Sequence, residues 1–84
     1  MSKNQLIFTH NATTMLAERG IDRAWVNLTL AEPEETEPDP HRADTFRAFR
    51  AIPERDGRVL RVVYTQSEER MTVITTFFDR AKHR

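Results

Sequence analysis

Cysteine is absent from this 84-residue sequence. No disulfide can staple so short a chain, and thiolate metal sites and cysteine nucleophiles are excluded. A cysteine-free chain of this size fits the reducing cytosol. Glycine occurs only twice, too rarely for a phosphate-cradling loop of the Walker or dinucleotide type. No H-E-x-x-H occurs, and His10, His41 and His83 stand far apart without ligand spacing; neither a metal nor a cofactor is expected. No serine stands in a nucleophile elbow. No apolar run is long enough for a signal peptide or a membrane span, so the expectation is a cytoplasmic protein with no membrane contact.

Charge is what the chain has in quantity, with 13 basic and 13 acidic residues. The balance hides an asymmetry. Residues 1–40 carry three basic and seven acidic residues, and residues 41–84 carry ten basic and six acidic. Most of the second half's cations are arginines, whose planar guanidinium suits bidentate recognition of phosphate or carboxylate. The plainer reading is a solvated strand surface that uses arginine for solubility. A length of 84 residues predicts one domain, 1–84, with a thin margin of stability.

Along the chain, residues 4–8 (NQLIF) form a brief strand or simply dock on the core. Thr9 is placed to cap a first helix over residues 10–19. In that stretch Ala12, Met15, Leu16 and Arg19 fall at helical spacing, Arg19 complements the dipole of the last turn, and Gly20 supplies the left-handed residue beyond it. Asp22 caps a second helix, from Arg23 to about Ala31, with Ile21 and Val26 at the spacing of a hydrophobic staple and Trp25, Leu28 and Ala24 facing inward. The acidic, proline-rich EPEETEPDP (32–40) reads as a loop. TFRAFRAI (45–52) fits either strand or helix. Asp56-Gly57 signals a hairpin turn, and RVLRVVYT (58–65) alternates as a strand should. MTVITTFF (71–78) is a strand apolar on both faces, and DRAKHR is a fraying tail or a helical turn. The fold class that follows is α+β, with two short N-terminal helices packed on an antiparallel sheet of about three strands.

Three groups of residues are candidates for function. Arg47, Arg61 and Arg80 would hold phosphates if the strands bring them to one face. His10, in the first turn of the first helix, is a candidate proton carrier. Tyr64, near Asp79, Arg80 and His83 on neighbouring segments, is the other, although a half-buried tyrosine with its hydroxyl at the rim of the core is the plainer reading.

The runs Phe8–Ile21 (FTHNATTMLAERGI), Arg50–Tyr64 (RAIPERDGRVLRVVY) and Val73–Arg80 (VITTFFDR) resemble a bacterial family of small domains of unknown function. Its members open with F-T-x-H-A-x-x-R-M-x-x-R-G-I and close with a strand such as V-V-T-F-F. The resemblance implies a RelE-like toxin ribonuclease fold, with sheet-borne cations on the phosphate and a histidine or tyrosine moving a proton. It also implies RNA or the ribosome as target. Aligned on Arg19-Gly20-Ile21, the family's histidine falls on Asn11 and its helix arginine on Met15. The expected function is therefore RNA binding or a degenerate ribonuclease toxin. The alternative is a non-catalytic protein–protein interaction module, acting through the acidic loop or an exposed sheet edge, with a protein partner or with itself.

Overall fold

The computed structural model describes residues 5–83. In chain order it comprises β1 (Gln5–Phe8), α1 (His10–Arg19), α2 (Arg23–Ala31), β2 (Glu35–Pro38), β3 (Thr45–Ile52), a 3-10 turn (Pro53–Arg55), β4 (Arg58–Gln66) and β5 (Arg70–His83). The strands make one sheet in the order β1-β5-β4-β3-β2. Strands β2 to β5 form an antiparallel meander, and β1 lies parallel to β5 on the far side.

The expected three-stranded antiparallel, RelE-like arrangement is thus corrected to a five-stranded mixed sheet carrying two helices; the α+β class stands. Both additional strands are four-residue edges. Strand β1 is too short to show a period, and its partner, β5, lies at the other end of the sequence. Strand β2 (ETEP) lies inside the stretch read as a loop. An edge position tolerates Pro38, and the like charges of its glutamates are relieved by cations of the sheet: Glu37 meets Arg47 at 3.0 Å and Glu35 meets Lys82 at 3.1 Å. TFRAFRAI is a strand throughout. The expected fray at 79–83 is strand as well, because β5 continues until His83 pairs with Arg58.

The helices begin and end on the expected residues. Thr9 is extended, and its hydroxyl accepts from the Ala12 N–H at 3.1 Å. Asp22 accepts from the Ala24 N–H at 2.8 Å. Gly20 sits at φ 63°, which lets the Ile21 N–H reach the Leu16 carbonyl at 3.0 Å. A Cβ there would meet nothing closer than an Arg55 nitrogen at 4.0 Å, so Gly20→Ala pays only for its left-handed backbone. We expect a loss of about 1–2 kcal/mol, read as a melting temperature lower by roughly 4–15 °C.

The inward face of α2 differs from expectation. Val26 and Thr29 are buried, Trp25 and Leu30 half-buried, and Leu28 and Ala24 exposed. The tight bend after α1 buries Ile21, and the staple from Ile21 to Val26 sets the rotation of the helix. Thr29 tolerates burial because its hydroxyl donates to the Trp25 carbonyl at 2.8 Å.

Both helices cover one face of the sheet. There Ile52, Leu60, Val62 and Val73 pack with Ala12, Ile21 and Val26. The opposite face carries no helix, yet Phe49, Val59 and Val63 are buried on it. Long cations supply the cover: the Arg61 guanidinium lies 5.5 Å from the Phe49 ring centre and the Lys82 ammonium 4.6 Å. Between Val63–Thr75 and Tyr64–Val73 the register shifts, leaving Ile74 as a bulge. Its carbonyl accepts from the Thr9 hydroxyl at 3.0 Å and from Asn11 Nδ2 at 3.3 Å, which ties the start of α1 to β5.

Candidate functional site

Arg47 and Arg61 do share a face, the one without helices, since Arg47 pairs with Val63 and Arg61 with Phe49. Neither guanidinium is open to a phosphate. Arg47 holds Glu37 at 3.0 Å and Asp39 at 3.4 Å. Asp39 also accepts from the His41 N–H at 2.8 Å and the Arg42 N–H at 3.2 Å. Those backbone donors, His41 first, together with Arg47 and Arg42 hold its carboxyl below the ordinary value against the pull of burial. Arg61 donates its Nε to Asp79 at 3.0 Å and adds a second bond from Nη2. Burial alone would raise the Asp79 carboxyl, but Arg61 and the N–H groups of Ala81 and Lys82 outweigh it and hold the group low. Arg80 is exposed and lies where β5 breaks register with β4, between the Leu60–Phe78 and Arg58–His83 pairs. Arg47 and Arg61 are both committed to carboxylates.

His10 is exposed on the first turn of α1. Tyr64 is 9 % exposed and faces the helices, its ring 6.0 Å from Phe46. It lines a groove of about 440 Å³ between the end of α2 and the sheet, with Leu6, Leu30, Met71, Asn27 and Gln66 among its other walls. His10 is not one of them. Burial pushes the Tyr64 hydroxyl above its usual range, so at neutral pH it is a neutral hydrogen-bonding group and not a base. Asp79 faces away from Tyr64 on the other side of the sheet, and the side chain of His83 lies outside the described residues. Of the residues anticipated from the sequence, His10 and Tyr64 do not share a groove, and Arg47 and Arg61 are paired with carboxylates.

A different pair of cations, Arg55 and Arg58, converges on the helix side of the sheet. Phe78 pairs with Leu60 and faces the helices, where its ring meets Trp25 edge-on at 6.3 Å. The Arg55 and Arg58 guanidinium carbons each lie 4.8 Å from the Phe78 centre, and Arg55 is also 5.9 Å from that of Trp25. Arg55 is steadied by donating to the Gly20 carbonyl at 3.1 Å. Arg23, on the first turn of α2, lies 4.1 Å from the centre of Phe8. None of Arg23, Arg55 and Arg58 forms an ion pair among the described residues. Resting a guanidinium on an aromatic face orders it while leaving its N–H donors free for an anion. One sequence signal pointed here: alternation along β4 sets Arg58 on the face of Leu60 and Val62. Arg55 gave none, since it lies in a turn.

A family model described as "Domain of unknown function (DUF4258)" matches residues 8–78. No curated protein matches the chain, and no solved structure does.

Proposed function

The chain belongs to the DUF4258 family of domains of unknown function, and from that premise we propose that it is an RNA-binding module that does not itself cut RNA. Arg55 and Arg58 hold phosphates, and Trp25 and Phe78 offer ring surface to bases. The observation that carries this reading is the meeting of two guanidiniums, Arg55 and Arg58, without an ion pair among the described residues, on the ring of Phe78 beside Trp25. Single-stranded nucleic acid is held by that combination of cations along the backbone and aromatic faces for the bases. The RNA-directed ancestry implied by the sequence resemblance points the same way. Binding without cleavage is favoured because the described members of the patch are arginines and aromatic rings, and Tyr64 lines a separate groove. Asn11, at the position of the family's histidine, is occupied in bonding to Ile74.

The test is fluorescence anisotropy of a labelled single-stranded RNA, at several salt concentrations, with and without ribosomes. Arg55→Ala/Arg58→Ala is compared with the charge-matched Arg42→Ala/Arg70→Ala, and thermal melting verifies that each is folded. We expect the first pair to weaken binding more than about tenfold at ~0.1 M salt and to flatten the slope of log affinity against log salt by about 1.4, two phosphate contacts at 0.7 each. The second pair keeps both. Equal losses in the two, or no binding by the wild type at low salt, would overturn the reading. Specific cuts in the RNA would overturn its non-cleaving part and return attention to His10 and Tyr64.

A further inference from the structure

The two edges of the sheet are unlike. Strand β2 carries Glu35, Glu37 and Pro38, so pairing with its own copy would set like charges together and lack a donor at Pro38. Strand β1 (QLIF) has no charge and no proline, and Ile7 is 37 % exposed on it. No described strand pairs with its outer side. Helix α1 packs on β5 and not out beyond β1, so it does not roof that edge.

We propose that β1 is the contact between two copies of this chain, joined antiparallel about a two-fold axis normal to the sheet. The backbone dictates the register. The Gln5 and Thr9 N–H groups donate toward β5, to the Glu69 and Val73 carbonyls at 2.9 and 3.0 Å. In a parallel ladder the odd-numbered residues then face β5, and Leu6 and Phe8 turn their N–H and C=O outward. Residues opposite one another across an antiparallel pair must share a face, which leaves Leu6 against Leu6 or Leu6 against Phe8 of the second copy. Only the latter uses both outward-facing residues twice, giving four backbone bonds. It sets Ile7 directly against Ile7 of the second copy on the helix-free face. Because the same patch serves both partners, the assembly closes at two. A chain of copies joined β1 to β2 would place Pro38, which has no N–H, in an interior position.

Sedimentation velocity over a range of concentrations is the test. The wild type is expected to sediment at twice the 9.9 kDa chain mass. Ile7→Lys, a charge on an exposed edge, should give monomer, and Glu35→Lys on the other edge should leave the dimer intact. Ile7→Thr, which keeps a β-branched residue in place, should weaken the dimer about tenfold, as expected for apolar surface lost on both copies. Circular dichroism checks that each variant is folded. A wild type that stays at the mass of one chain at the highest concentration, or an Ile7→Lys protein that still dimerises, would overturn the proposal. Ile7 is not part of the arginine patch, so RNA binding and association are read separately.

Discussion

Phe49→Ala is expected to destabilise the domain by about 3–4 kcal/mol and to lower its melting temperature by roughly 15–25 °C. Phe49 is 2 % exposed although no helix covers its face. Its cover is the pair of cations on β4 and β5, Arg61 and Lys82, laid over the ring. Truncation therefore removes a ring from a small second core and also takes away the surface on which two cationic side chains are ordered. A domain of this size holds on the order of 5–10 kcal/mol in total, so one such change uses a large part of it. Urea unfolding followed by circular dichroism measures the loss. A cost near 1 kcal/mol would mean that the face collapses around the cavity and that its packing is less specific than described here.

The second large effect is at Asp79. The residue is 7 % exposed, and its carboxylate accepts from Arg61 and from the Ala81 N–H. Asp79→Ala leaves a half-buried guanidinium without its partner, at a cost of about 2–3 kcal/mol. Arg61→Met/Asp79→Ala should recover most of that, since removing both charges leaves nothing unpaired. Failure of the double variant to recover would show that Arg61 matters as a lid over Phe49 and Phe77 more than as a charge. The same pair sets a pH dependence. The Asp79 and Asp39 carboxyls ionise below the ordinary value of 3.8 when folded, so the unfolded chain binds more protons in that range. Their contribution is complete above about pH 5 and is lost as the pH falls through the folded values. Asp79→Asn should flatten this acid limb, and thermal melts between about pH 2 and pH 7 read it directly.

Helix ends were legible in the sequence because caps are local chemistry: Thr9, Gly20 and Asp22 act on residues two to four positions away. Strand β4 was legible because its alternation runs unbroken. Strand β1 was one of two readings of residues 4–8 and β2 was read as a loop, since a four-residue edge is defined by its partner more than by its own pattern. Of the candidate site, the shared face of Arg47 and Arg61 followed from alternation, but their pairing with Glu37, Asp39 and Asp79 could not. Those contacts depend on β2 being a strand and on β5 continuing past Phe78. The Arg55–Arg58 pair lay deeper still. It joins a turn and a strand start, and the ring of Phe78 brings the two together.

Strand β5 anchors elements made long before it. Among the described strands β1 pairs only with β5, and α1 is pinned to the carbonyl freed by the bulge at Ile74. During synthesis, then, β1 and α1 have no strand to rest on until residues beyond Val73 have left the ribosome. Helix α1 must wait as a fragment of about ten residues, too short to hold its shape in water on its own. The order of β1 and α1 comes late, through a long-range closure of the kind that slows folding.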